Sequence, residues 1–133
     1  MSVQILDVVA LSPLQRGLYS VSTTSGEVDP YLVTFAVRVE GLADLSTLRK
    51  AFDQVLQRYP HLGGSVVTDG LPHPVLLTTT AGHIGWTELD LRGAPDPEAA
   101  ARQRYWDEGR IRIDLDNGPL FRVTAARVGE QDY

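Results

Sequence analysis

The sequence predicts the α/β class: an α+β sandwich lobe in which strands and helices follow one another along a single chain. Three observations carry this. Tyr31, Val33, Phe35, Val37 and Val39 form an apolar row at a spacing of two, the period of a half-buried strand. Leu45, Leu48, Phe52, Val55 and Leu56 recur at helical spacing. Between and after these lie short β-branched runs bounded by glycine, proline and aspartate, the punctuation of separate strands.

Taken in order, Val3 to Leu11 is rich in Val, Ile and Leu and predicts a strand. Ser12-Pro13-Leu14-Gln15 predicts a helix start: a serine cap, proline at the first helical position and a glutamine where a capping box needs it. Leu14, Leu18 and Val21 share one face of that helix, and the polar stretch from Ser22 to Asp29 predicts a loop. The alternating segment Tyr31 to Glu40 predicts a half-buried strand, antiparallel to a neighbour. Gly41 ends it, and Asp44 or Ser46 can cap the amphipathic helix that runs to Tyr59, where Pro60 stops it. Ser65 to Thr68 and Val75 to Thr80 predict paired strands around an Asp69-Gly70 turn. Trp86 to Leu91 predicts a further strand. Asp96-Pro97 opens a third helix through Ala99 to Gly109, with Tyr105 and Trp106 as its expected buried residues. Leu115 to Gly118 is a turn, and Leu120 to Val128 is the last strand. The segment after Gly129 reads as a hairpin begun and not finished.

Length and composition narrow the function. A chain of 133 residues with 43% hydrophobic and 22% charged residues is one globular domain or one lobe of a larger one. A net charge of −5 argues against a nucleic-acid partner. Without cysteine there are no disulfides and no thiolate metal sites, in keeping with a cytoplasmic location. The amino terminus lacks the basic and long apolar regions of a signal peptide, and no apolar run is long enough to cross a membrane. Several site motifs fail on inspection. Asp114-Leu115-Asp116-Asn117-Gly118 lacks the remaining ligands and terminal glutamate of a calcium loop. Gly63-Gly64 lacks the lysine of a phosphate loop, and Ser12 lacks the glycines of a nucleophile elbow.

Three segments, in order, resemble one family. Leu11-Ser12-Pro13-Leu14-Gln15-Arg16-Gly17-Leu18-Tyr19 resembles the first core motif of nonribosomal peptide synthetase condensation domains. Leu48 to Val66, a helix running through Arg58-Tyr59-Pro60 into His61-Leu62, resembles the second. Ile113-Asp114-Leu115 with Gly118-Pro119-Leu120-Phe121-Arg122 resembles a third family segment, Phe-Asp-Leu-x-x-x-Pro-Leu-x-Arg. Leu11 to Gln15, with Trp86 to Arg92, looks most like the subtype that accepts a D-configured donor. The resemblance implies the amino-terminal lobe of a chloramphenicol acetyltransferase-like fold, truncated, with residues 1–133 as a partial condensation domain. It implies peptide-bond formation between aminoacyl and peptidyl thioesters. These are carried on the phosphopantetheine arms of peptidyl carrier proteins, with no cofactor bound by the lobe itself and the rest of the synthetase as partner.

The sequence departs from that family in two places. The hallmark His-His-x-x-x-Asp-Gly is absent: His61, His73 and His83 stand alone, so no catalytic residue is assigned and the chain alone is expected to be inactive. Gly63 also stands where the family usually has an arginine, leaving Arg58 and Arg122 as the nearest candidates for the ion pairs it would make.

The substrate-channel candidates are Gln15, Tyr19, His61 and Arg122. Each has a plainer reading: a cap for Gln15, core for Tyr19, a structural corner for His61 and a solvated strand position for Arg122. The strand from Leu120 to Val128 is expected to leave an open edge, which predicts a homodimer or strand exchange. Three rival readings stand beside the first: a noncatalytic condensation-like module that recruits a partner, an independent α/β binding module, and a coenzyme A-dependent acyltransferase.

Overall fold

The structure, a computed structural model, describes residues 2–133. Its elements are β1 (Ile5–Ala10), α1 (Pro13–Thr24), α2 (Leu45–Arg58), a 3₁₀ turn (Pro60–Gly63), β2 (Ser65–Val67), β3 (Val75–Thr79), β4 (Gly85–Asp90), α3 (Pro97–Glu108) and β5 (Arg122–Arg127). The helices begin where local chemistry places them. Ser12 Oγ accepts from the Gln15 amide at 3.2 Å, while Gln15 Oε1 accepts from the Ser12 amide at 2.8 Å, a reciprocal box that satisfies two otherwise orphaned donors. Asp44, rather than Ser46, caps α2, accepting from the Ser46 amide at 2.9 Å. Asp96 caps α3 through the Ala99 amide at 2.9 Å.

Two sheets result. β3 is the centre of a three-stranded antiparallel sheet in the order β1-β3-β2, with Val8 opposite Leu77 and Val66 opposite Leu76. β4 and β5 pair in parallel, Trp86 opposite Val123 and Leu89 opposite Ala126. A parallel pair needs a crossover, and α3 supplies it. α2 packs on one face of this pair: Phe52 lies edge-on to Trp86 at 5.8 Å and against Phe121 at 6.2 Å, with Arg49 over the Trp86 ring at 5.6 Å. α3 covers the other face, where Arg122 and Thr124 of β5 reach Glu108 at 3.1 and 2.8 Å.

Several expectations need correction. Residues 31–40 belong to no helix or strand and join no sheet, and Tyr31 sits in a turn. Their one ladder-like contact is a reciprocal pair between Val39 and Tyr133, both bonds at 2.9 Å. The apolar row expected to be half-buried is exposed: Val33 at 70%, Phe35 at 85% and Val37 at 78%. The opposite side of the segment is the one held against α3, by the Arg38–Glu98 ion pair at 2.6 Å and the Tyr105 hydroxyl on Thr34 O at 3.5 Å.

Trp106 is 64% exposed, against the expectation of burial. Adjacent helical positions point about 100° apart, so a face that seats Tyr105 turns Trp106 away. The first loop also begins later than expected. α1 continues to Thr24, and Ser22 is buried at 3% exposure. After Gly129 the chain does turn back, with Val128 N on Asp132 O at 2.9 Å, but Tyr133 then bonds to Val39 rather than to β5.

Candidate functional site

The four channel candidates do not converge. Among the described residues no hydrogen bond or ion pair joins any two of Gln15, Tyr19, His61 and Arg122. Gln15 is engaged in the α1 capping box. Tyr19, one helical turn further on, donates its hydroxyl to Asp116 Oδ1 at 2.6 Å. That bond to Asp116 raises the phenol above its ordinary pKa, with burial and the carboxylate's charge adding in the same direction. Asp116 is presented by a closed turn. Asp114 Oδ1 accepts from the Asp116 and Asn117 amides at 3.1 and 3.2 Å, and Asp114 Oδ2 accepts from Asn117 Nδ2 at 2.7 Å. The Asn117 side chain and backbone hold the Asp114 carboxyl below its usual value. The acidic loop is thus a self-satisfied Asx-type turn.

His61 is exposed on the 3₁₀ turn, its ring edge-on to Tyr59 at 6.2 Å. His73 lies 3.4 Å from an Arg16 guanidinium nitrogen, and His83 lies 3.4 Å from Ala81 O. Among the described residues no hydrogen bond or ion pair joins a histidine ring to a carboxylate, and no group of three or more His, Cys, Asp or Glu is placed to hold a metal.

Arg122 is half-buried and committed within its own chain. It donates to the Glu108 carboxylate at 3.1 Å and to the carbonyls of Glu108 at 2.8 Å, Arg112 at 3.3 Å and Ile111. The carbonyls of Ile111 and Arg112, in the turn after α3, are thereby satisfied, while that of Glu108 also accepts from the Ile111 amide at 3.2 Å. Glu108 also accepts from Arg104 at 2.6 Å and from Thr124 at 2.8 Å. Burial pushes the Glu108 carboxyl up, but the bonds from Thr124 and Arg104 and the two guanidinium charges outweigh it and leave the group below its ordinary value. Arg58, the other candidate for the missing arginine's role, lies over the Tyr59 ring at 5.7 Å and donates to its hydroxyl at 3.2 Å.

Gly63 explains its own departure from the family pattern. A Cβ there would sit 2.6 Å from His83 N and 2.9 Å from Gly82 C. The 61–64 turn and the 81–83 turn pack backbone to backbone, so no side chain of any kind fits at this position. Beside this contact is a shallow cavity of about 130 Å³, which Ser65, Thr79 and Asn117 help to line. A wider open groove of about 470 Å³ runs between Leu32, Tyr105 and Trp106. The first is smaller than a typical small-molecule site, and the second is an open groove rather than an enclosed one.

Sequence reasoning missed one polar knot. Arg112 reaches back to the end of α1, donating to Ser25 Oγ at 3.0 Å, Gly26 O at 2.8 Å and Ser22 O. Ser22 Oγ donates to Asp29, whose other oxygen accepts from the Tyr31 amide at 2.9 Å. Asp29 is only 9% exposed. One signal was available: Ser22 follows Leu18 by four, a polar residue on the apolar face of α1.

The sequence profile described as "Condensation domain" matches residues 5–133. A linear gramicidin synthase protein of Brevibacillus parabrevis is 32% identical over 98% of the chain, and malpinin synthetase of Mortierella alpina is 32% identical over 92%. The chain spans only 3% and 2% of these proteins. Among solved structures, a four-domain nonribosomal peptide synthetase bound to AMP and glycine superposes with a TM-score of 0.85 at 19% identity. That match covers all of this chain and 10% of the other. The starter condensation domain of rhizomide synthetase superposes at 0.80 and 20% identity, over 95% of this chain and 30% of that one. At these identities the structures speak for the fold, and they bear out the mixed helix and strand class read from the sequence. With the profile match over nearly the whole chain and the synthetase relatives, they show that the chain belongs to the condensation-domain family of nonribosomal peptide synthetases.

Proposed function

We infer that residues 1–133 are the amino-terminal lobe of a condensation domain and form one wall of its substrate tunnel. The whole domain then makes peptide bonds between carrier-bound thioesters. The acceptor amine attacks the donor thioester carbon, a C–N bond forms, the C–S bond breaks and the donor phosphopantetheine leaves as its thiol. The amine's proton needs an acceptor or an electrostatic partner. This chain offers no histidine so placed, and the His-His-x-x-x-Asp-Gly segment that the family uses is not in its sequence. Peptidyl carrier proteins are the partners under this reading.

The observation that carries it is surface area. The chain exposes 8964 Å², whereas a compact monomer of 14.6 kDa exposes about 6,900 Å² by the usual scaling. The excess, about 2,000 Å², is what a lobe presents before a large partner surface covers it. Val66 and Ala125 are the buried apolar residues among those described, a core too thin for a chain of this length standing alone.

Of the four channel candidates, Tyr19 and His61 are the two whose rings are not locked into caps or ion pairs, and they are proposed as wall residues. The test is reconstitution of the parent synthetase module with loaded donor and acceptor carrier proteins, scored by mass spectrometry of the amide product. Product from the module and none from the 133-residue chain is expected. Product from the chain alone would overturn the assignment, as would a module that makes none.

The noncatalytic recruitment reading is favoured by one observation, the Gly63 backbone contact that leaves no room for the usual arginine. Carrier binding by the module without condensation would support it.

A further inference from the structure

The outer face of α3 carries an arginine, a tryptophan and an arginine in line. Arg102, Trp106 and Arg110 are spaced by four, so they share one face and span about 12 Å along the axis. The helix ends at Glu108, but Gly109 keeps helical backbone, at φ −64° and ψ −12°, and Arg110 N bonds to Asp107 O at 3.0 Å. The stripe therefore continues through the closing turn. All three residues are exposed, Trp106 at 64%. An indole left in water beside a seated Tyr105 is apolar area without a partner.

The two arginines stand apart from the rest. Every other arginine of the chain is engaged: with carboxylates or carbonyls, over an aromatic ring or, for Arg16, with His73. Among the described residues Arg102 and Arg110 have no side-chain hydrogen bond, ion pair or ring contact. The carboxylates within one turn of them are already taken. Glu98, four residues before Arg102, binds Arg38 at 2.6 Å, and Asp107, three before Arg110, accepts from Gln103 at 2.9 Å. In a chain of net charge −5, two free cations thus flank the exposed indole on one helix face. Tryptophan and arginine are the side chains that most often dominate a binding surface. Beside the stripe runs the open groove of about 470 Å³, with Leu32 and Val33 on its far side and Trp106 and Arg110 on its near side. An open trough of this kind suits the flank of a partner helix better than an enclosed small molecule.

We propose that this face of α3 docks an acidic amphipathic helix of a partner protein. Such a helix, laid along the stripe, presents carboxylates at i and i+8 and an apolar side chain at i+4. It matches Arg102, Arg110 and Trp106 in spacing and in charge. Two arginines on a net negative chain give too weak a field for nucleic acid or an anionic membrane, where several such charges act together. Docking at this face is independent of condensation and uses only residues of this chain.

The probe is a labelled synthetic peptide, free of tryptophan, with glutamate, leucine and glutamate at four-residue steps on an alanine and glutamine background. An isomer carries the glutamates on the opposite face, and a third peptide has lysine in place of glutamate. Binding to the full chain is read by anisotropy of the label and by the emission of Trp106, and the titration is repeated on the parent synthetase module. The first peptide should bind with a Kd on the order of 100 µM, weakening as salt rises, with a blue shift of the tryptophan emission. Trp106→Ala weakens binding by about tenfold or more. Arg102→Glu with Arg110→Glu abolishes it and brings in the lysine peptide instead, a swap of preference that loss of folding cannot mimic. No binding, equal binding of the isomer, or a charge-reversed chain that still prefers glutamate overturns the proposal. So does binding by the chain and none by the module, since it gives this face to the rest of the domain. Tighter binding of phosphatidylserine vesicles or duplex DNA through the same arginines also overturns it, and assigns the face to that partner. A module that fails to condense leaves these titrations untouched.

Discussion

Replacing Glu108 by glutamine isolates the charge at the junction of α3 and β5. The carboxylate accepts from Arg104 at 2.9 and 2.6 Å, from Thr124 at 2.8 Å and from Arg122 at 3.1 Å. Its side chain is 13% exposed, so water compensates poorly for what is lost. Glutamine keeps one acceptor oxygen for Arg104 and Thr124 but turns an amide donor toward Arg122. The charge-assisted bond from Arg122 disappears, those from Arg104 lose the acceptor's charge and weaken, and that from Thr124 becomes an ordinary one. Arg122 retains its three carbonyl partners, which limits the damage. A charge-assisted bond contributes about 1.5–3 kcal/mol, so Glu108→Gln should cost roughly 2 kcal/mol at neutral pH. With a urea slope of about 2 kcal/mol per molar, the midpoint falls by about 1 M.

The sign of the pH dependence follows from the depressed carboxyl. Stability from a lowered acid is present above its unfolded value, about 4.3, and is lost as the pH falls through the lower folded value. Urea midpoints of the two proteins therefore converge in acid. Equal midpoints at pH 7 would refute the role of the charge. A gap that persists undiminished to about pH 2 would show that shape, not charge, was lost.

Gly63→Arg restores the residue the family usually carries, yet it should destabilise the chain by about 1–3 kcal/mol, because the clash begins at Cβ. Gly63→Ala should lose a similar amount by the same denaturation assay, and a neutral alanine variant would disprove the backbone contact. Ser12→Ala removes the oxygen that receives the Gln15 amide and should cost about 1 kcal/mol, read as a lowered urea midpoint. If the midpoint holds, the capping box is not the device that starts α1.

What was legible in the sequence is what is local. Ser12 with Gln15, Asp44 with Ser46 and Asp96 with Ala99 are contacts within three residues, and each fixes a helix start that residue types alone can signal. The alternation from Tyr31 to Val39 signalled a half-buried strand, and no strand forms there. It could not signal exposure, because burial of a strand face depends on a neighbour that the periodicity does not name. Arg122 read more readily as solvated than as cleft-facing, and its partners are a helix end, a feature of packing rather than pattern. The knot of Arg112, Ser22 and Asp29 left one trace, the polar Ser22 on the apolar face of α1, and its partners were illegible for the same reason. It joins segments about ninety residues apart, and no rule of spacing reaches that far. The pairing of Tyr19 with Asp116 is more distant still.

These long-range ties have a consequence for how the wall behaves. α1 carries the first family motif, and it is held at two points by one segment, the connector between α3 and β5. Asp116 takes the hydroxyl of Tyr19 from the middle of the helix, and Arg112 takes the carbonyls of Ser22 and Gly26 at its end. The connector carries the third motif and is itself fixed to α3 and β5, because Arg122 binds Glu108, Ile111 and Arg112 together. The first and third motifs are therefore parts of one mechanical unit, though about a hundred residues separate them. A residue such as Tyr19 can then be set in place without touching another site residue, because its position is inherited from the connector. Where the unit is buried, at Ser22 and Asp29, its polar groups must be satisfied together, since the loss of one leaves the other unpaired away from water. The first and third motifs thus act together as a rigid scaffold, with the connector between α3 and β5 setting the position of α1.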